Sequence, residues 1–450
     1  MHMTRTVLIA LLFLMVTANS LNAQTRNDIT PHILSMQERA QVIDRWTEDK
    51  LDSVVPELMS REGIDMWVLV AREYNEDPVL LTMLPATWQS SRRTTILVFF
   101  NPGNGAPIER LAVARYNIGF FETQWSPDQQ PDQWARFGEI VEERNPETIA
   151  VNYSDNFALA DGISHTDFTN LKNSLSTEMQ ERIVSAENLA IGWLETRSKE
   201  EQVVYRQINR IAHNIVAEGL SERVITPGIT TTEDVQWWYR DRIRDLNLTA
   251  WFHPSVSVQR EESPEEDGDF SSSGGGNVIL PGDLIHVDFG IQYLRLSTDT
   301  QRNAYVLKQG ETEAPEGLQD ALATGNRLQD ILTGQFQTGR AGNEILASAL
   351  EQADSEDINA TIYTHPIGYH GHAAGPTIGL WDQQGGVPGK GDYPLYPNTA
   401  HSIELNAEVY IPEWDKSILM KLEEDAMFDG DQAYYIDGRA EELYLIPRQR

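Results

Sequence analysis

Residues 284–302 read LIHVDFGIQYLRLSTDTQR, and the placement of the two aspartates in this stretch decides the fold. Ile285, Val287, Phe289 and Ile291 alternate with His286, Asp288 and Gly290, the period-two pattern of a strand with one apolar face. Residues 292–295 read as a turn, and the run beyond it carries Asp299. With the turn centred on Tyr293-Leu294, Asp288 and Asp299 are expected directly opposite each other on one face of a hairpin. Facing carboxylates repel. A chain keeps such a pair when a proton or a cation sits between them, and hard divalent cations take oxygen ligands.

Three later segments carry the atoms that would complete a metal site. Residues 364–382, THPIGYHGHAAGPTIGLWD, set His365, His370 and His372 among glycines, where ring nitrogens can approach an ion closely. Residues 400–405, AHSIEL, read as a strand with Ser402 and Glu404 on one face. Residues 420–428, MKLEEDAMF, place Lys421, Glu423 and Asp425 on a shared face. Two Asp, one His and two Glu make an oxygen-rich site for two divalent ions, whose shared water would become a hydroxide nucleophile at neutral pH. Any one of these residues alone would more often be an ordinary solvated or ion-paired side chain; the ordered constellation is what points to metal.

The pieces PGDLIHVDFG, STDTQR, GHAAG, SIEL and KLEED, in this order, resemble the pita-bread metallopeptidases of family M24. That family includes Xaa-Pro aminopeptidase, prolidase, methionine aminopeptidase and the non-metal hydrolase creatinase. The resemblance spans about residues 190–430, opened by the helix-like ETRSKEEQVVYRQINRIAHNI. It implies an α+β pita-bread catalytic domain at 191–450, preceded by a smaller α/β creatinase-type N-terminal domain at 24–190. It also implies five ligands: Asp288 on one ion, Asp299 bridging, His372 with His370 as rival, Glu404, and Glu423 bridging with Glu424 as rival. Glu404 would also handle the proton of the attacking water. The family pattern further implies two ions, manganese first with cobalt or zinc as alternatives, a short peptide substrate cleaved at its N-terminal bond, and a homodimer.

The chain departs from the pattern in the surrounding shell. The peptidase branch carries one histidine upstream of the first aspartate, where this chain has FSSSGGG, and another seven residues beyond the ligand histidine. Counted from His372 that second position is Gly379, or Trp381 with an insertion, so both auxiliary histidines are expected to be missing. Lys421 stands where arginine is usual, and Leu405 where proline is usual. Losing one donor to a developing oxyanion costs roughly 3–4 kcal/mol. A pita-bread protein that binds metal and peptide without turnover is therefore the alternative to a peptidase.

The rest of the chain frames this reading. Apolar runs at 66–70, 94–100, 110–114 and 148–151 alternate with helical patterns, as in an α/β layer. A helix is expected over 36–60, another over 195–223, and a third over 231–246 capped by Thr231 or Thr232. Residues 261–276 are acidic, then Ser/Gly-rich, and read as a flexible loop bordering the site. The 450 residues carry a formal charge of −33, which argues against nucleic acid or an anionic membrane surface as partner. The absence of cysteine excludes disulfides, thiol catalysis and thiolate zinc. Arg5, the apolar run VLIALLFLMV at 7–16 and a small-residue site ending at Ala23 read as a signal peptide over 1–23. Export to a periplasm or the outside follows, with no stable membrane insertion after its removal.

Overall fold

The apolar run Met66–Arg72, buried on both faces, becomes a central strand of a six-stranded mixed sheet. Thr94–Phe100 lies antiparallel on one side of it, and Ile149–Val151 parallel on the other. Glu109–Ala112 and Glu122–Thr123 extend the first side, and Ile183–Ser185 the second. Phe137, Ile140 and Val141 of helix Gln133–Arg144 close one face over Met66, Val68 and Val70. On the other face Trp67 stacks on Phe99 at 5.4 Å and donates its indole N–H to Asn152 Oδ1 at 2.8 Å. The computed structural model of the chain describes residues 32–262 and 276–448, so the expected leader at 1–23 and the FSSSGG stretch lie outside the described residues.

Among the described residues the second half is built from three sheets of three or four strands, the two-stranded ladder Gln292–Tyr293 with Leu296–Ser297, and four longer helices. One sheet joins Ser255–Gln259, Leu284–Phe289, Thr300–Val306 and Tyr444–Ile446. A second joins Asn359–Ile362, Leu405–Ile411 and Lys416–Leu422; a third joins His365–Ile367, Thr399–Ser402, Asp425–Phe428 and Ala433–Tyr435. Helices Lys199–Gly219 and Thr232–Asp245 precede the first sheet, and Glu316–Thr333 and Gly342–Ser355 follow its central pair. Leu318, Leu322 and Leu332 of one of these pack with Leu405, Met420 and Leu422 of the second sheet. This is a pita-bread α+β fold behind a smaller α/β layer. Among the described residues no helix is long and apolar enough to cross a membrane.

The two halves share buried polar contacts. Lys50, on helix Met36–Glu62, is fully buried and donates to Trp193 O at 3.1 Å and Tyr369 Oη at 3.0 Å. Its ammonium lies 4.6 and 4.5 Å from the Trp193 and Tyr369 ring centroids and 3.9 Å from Glu201 Oε2. Glu201 also closes the capping box of helix Lys199–Gly219 with Ser198. Arg295, at the tip of the aspartate hairpin, reaches Thr82 O at 3.0 Å and Leu84 O at 3.1 Å.

Candidate metal centre

Two strand pairs meet at the centre. In the first, Leu284–Phe289 pairs with Thr300–Val306 so that Asp288 faces Gln301, not Asp299. The expected turn is one position early: Leu296 pairs with Tyr293, and Leu294 and Arg295 form the turn, both with positive φ. Continuing that register sets Asp299 opposite Gly290. A two-residue offset preserves the face, so Asp288 and Asp299 still point to one side as diagonal neighbours.

The second pair breaks where the carboxylates stand. Thr399–Ser402 pairs with Asp425–Phe428 in one sheet, and Leu405–Ile411 with Lys416–Leu422 in another, with one continuous register. That register sets Glu404 opposite Glu423 at the crossing between sheets. Gln301 bridges to Glu423 through its backbone, which brings the two pairs into contact. Glu424 turns the other way. It is ion-paired with Arg302 and lies 3.4 Å from His213 Nε2, so its carboxylate is engaged away from the centre.

The imidazole among these carboxylates is His365, where His372 was expected. His365 Nε2 lies 3.8 Å from Asp299 Oδ2, 4.0 Å from Glu404 Oε2 and 3.4 Å from Glu423 Oε1. Asp299, His365 and Glu423 each offer one ligand atom within 4.8 Å of the others. The physical reason is the strand: His365 heads His365–Ile367 and pairs with Ser402, two residues before Glu404, whereas His372 lies in the loop beyond. His372 packs edge-on against His365 at 4.7 Å and against Trp251 at 5.2 Å. His370 lies beside Arg197, outside the group. A signal for His365 was present in the sequence. His365-Pro366-Ile367-Gly368 is a His-x-x-Gly match too, and the position seven residues beyond it is His372.

Polar neighbours fix the orientation of the group. Gln301 Nε2 donates to Glu404 Oε1 at 2.6 Å, and its Oε1 meets His286 Nε2 at 2.8 Å. Ser402 Oγ donates to Glu423 Oε1 at 2.8 Å. His365 Nδ1 lies 3.0 Å from Pro366 O, so the proton belongs on Nδ1 and the Nε2 lone pair faces the carboxylates. Sequence reasoning passed over Gln301, whose amide is not a usual metal ligand, and read His286 only as part of the strand alternation.

Burial and mutual repulsion govern the charges. Burial, then Glu423, push the Asp288, Asp299 and Glu404 carboxyls well above the ordinary carboxylate range. Glu423 is pushed up to about 7, first by burial. Lys421 offsets part of this at Asp288 and Glu404. Burial holds His365 down to about 4, so its ring is neutral. Asp288 Oδ1, Asp299 Oδ1 and His365 Nε2 are buried with no hydrogen-bond partner. Acceptors left unpaired in this way are what a hard divalent cation satisfies, and the residues fit one. A cavity of about 370 Å³ adjoins the group, lined by His365, His372, Tyr363, Glu404, Trp381 and Lys390 and by Phe157 and Leu159 of the first half.

Residues 204–434 match the model of metallopeptidase family M24. No curated protein is significantly similar to the chain. Among solved structures, an X-Pro aminopeptidase from Thermotoga maritima is 16% identical over 86% of this chain and 99% of its own, with a TM-score of 0.60. An Xaa-Pro dipeptidase from Bacillus anthracis is 16% identical over 91% of this chain and 100% of its own, with a TM-score of 0.57. A prolidase from Pyrococcus horikoshii is 15% identical over 90% of this chain and 99% of its own, with a TM-score of 0.53. At these identities the likeness is one of fold.

Proposed function

The chain belongs to metallopeptidase family M24, and from that premise we propose an exported, dinuclear metal-dependent peptidase that removes the N-terminal residue of short peptides. The observation that carries this reading is the convergence of Asp299, His365 and Glu423, flanked by Asp288 and Glu404, at the mouth of a small cavity. Asp288, Asp299, His365, Glu404 and Glu423 would hold the ions, with His365 in the role first given to His372. Mainly oxygen donors with one imidazole favour manganese over zinc. Divalent ions held there supply Lewis-acid polarisation of the scissile carbonyl and lower the pKa of water.

The chain's own residues would do the rest. Glu404, fixed by Gln301, would take a proton at Oε2 and return it to the leaving amine. His372, beside the cavity and against His365, would donate to the carbonyl oxygen as charge develops on it. Phe157, Leu159 and Tyr363 would exclude water around the residues that flank the bond. The basic and apolar pattern at the N-terminus supports export, and the family resemblance supports a homodimer.

The test is to purify the mature chain, count bound ions, and assay Xaa-Pro and other peptides with manganese added. Hydrolysis that is lost in Asp299→Ala is the expected result. Ions bound without cleavage of any peptide would favour a diverged binding module, and failure to bind any divalent ion would overturn both readings.

A further inference from the structure

A side-chain amide stands inside the carboxylate cluster, and an amide has a donor end and an acceptor end. Gln301 Nε2 donates to Glu404 Oε1 at 2.6 Å, and the same side chain hydrogen-bonds Glu423. Its acceptor end, Oε1, lies 2.8 Å from His286 Nε2. As ion ligands the two glutamates are acceptors only, so the amide N–H groups are spent on them and the imidazole has to be the donor to Oε1. This assigns a ring proton of His286 to Nε2.

The sheet explains how the two side chains meet. In the pairing of Leu284–Phe289 with Thr300–Val306, Gln301 stands opposite Asp288 and His286 opposite Asn303. His286 and Gln301 are therefore diagonal neighbours on the face that carries Asp288. Diagonal positions lie about 7–8 Å apart, a gap that long side chains bridge. The neighbour directly opposite His286 is engaged elsewhere, since Asn303 Nδ2 donates to Lys421 O at 2.8 Å. Both His286 and Gln301 are buried, so bulk water does not compete for the contact.

A glutamine amide turns over at little intrinsic cost, because its last torsion is broad and roughly two-fold. Its partners decide which end faces the cluster. Turned over, Gln301 would set its oxygen against Glu404 and Glu423, which a protonated glutamate tolerates. The same turn would set an amide N–H against the Nε2–H of His286, donor against donor. His286 thus excludes the turned-over amide whatever the state of the carboxylates. With the amide held, Glu404 Oε1 is tied to Gln301, and Oε2, 4.0 Å from His365 Nε2, is left to the cluster.

We propose that His286 is a positioning residue for the metal centre: by donating from Nε2 to Gln301 Oε1 it locks the amide with its N–H groups towards Glu404 and Glu423, and so fixes which Glu404 oxygen faces the ions. This role rests on the reading of the cluster as a metal centre. The ordinary role of a buried strand histidine is packing, which needs the ring volume but no proton at Nε2.

The test measures manganese affinity of the purified full chain by competition with a chelator. His286→Phe keeps the ring volume, removes the donor, and should weaken binding about tenfold. His286→Gln returns an N–H near the position of Nε2 and should restore most of that loss. In a Gln301→Ala background His286→Phe should cost nothing further, because the residue acts through the amide. A second readout needs neither metal nor a change at His286. NMR of the metal-free chain with isotope-labelled histidines should show an imidazole N–H protected from exchange, and Gln301→Ala should expose it. The role of His286 is overturned, with the metal reading intact, if His286→Phe binds manganese like wild type, if His286→Gln is as impaired as His286→Phe, if the two losses add, or if no protected N–H is found. A wild-type chain that binds no manganese overturns the metal reading and this role with it.

Discussion

At the residue scale the two histidines His365 and His372 make separable predictions. His365 Nε2 faces three carboxylates, so His365→Ala should lower the number of ions bound per chain, as read by elemental analysis. His372→Ala should leave that number unchanged while kcat falls by roughly 10²–10³, the cost of one oxyanion donor. Equal metal loss in both variants would return His372 to the ligand set. Gln301→Ala removes the amide that orients Glu404 and should cost about 10–100-fold in metal affinity, measured by competition with a chelator. The four carboxylates were legible in the sequence because each lies in a strand-like segment with a telling neighbour. The choice of histidine was not, because two His-x-x-Gly matches stand seven residues apart within residues 365–375 and only strand pairing distinguishes them. Glu423 and Glu424 were adjacent alternatives for a similar reason. The register shows that a one-residue slip exchanges the side facing the carboxylate cluster for the Arg302 side.

At the scale of elements, helices were the most legible. Thr231 caps Thr232–Asp245 with Asp234 completing the box, as its side-chain chemistry suggests. The turn of the aspartate hairpin was not legible. A tight turn with two positive-φ residues usually announces itself with Asn-Gly or Asp-Gly, and here Leu294 and Arg295 occupy it. Tertiary contacts make up for the local preference: Leu294 is buried, and Arg295 donates to two backbone carbonyls of residues 82 and 84. Arg295→Ala should therefore destabilise the protein by about 1–3 kcal/mol in urea denaturation, leaving those carbonyls without their donor. A change of a few tenths would show that the turn holds its register unaided. Equally hidden were the breaks at Glu404 and Glu423. Alternation reads straight through them, and only the pairing shows that the strands change sheet there.

At the scale of the whole molecule, buried acids set the response to pH. Glu195, outside the metal centre, is fully buried at the end of helix Glu187–Glu195 and accepts from Tyr393 Oη at 3.1 Å. Burial pushes its carboxyl up to about 8. A carboxyl whose folded pKa exceeds its unfolded one adds no penalty below about 4.3, and costs stability progressively as pH rises towards 8. Glu195→Gln should flatten that slope and stabilise the protein at pH 8 by a few kcal/mol, at about 1.4 kcal/mol per pH unit. A wild-type slope retained in the variant would place the effect elsewhere. Manganese at a hundredfold excess over its Kd should add about 2.7 kcal/mol, visible as a raised Tm. The division of the chain near residue 190, drawn from composition, takes no account of Lys50. That lysine comes from the first helix, yet it pairs, with Arg197, against Glu201 and donates to Tyr369, which stands between Gly368 and Gly371 of the histidine loop. The second half thus shares part of its buried polar core with the first. Expressed alone from residue 190, it would expose Trp193 and leave Glu201 without its lysine, so the first helix serves as a wall that the second half cannot supply for itself.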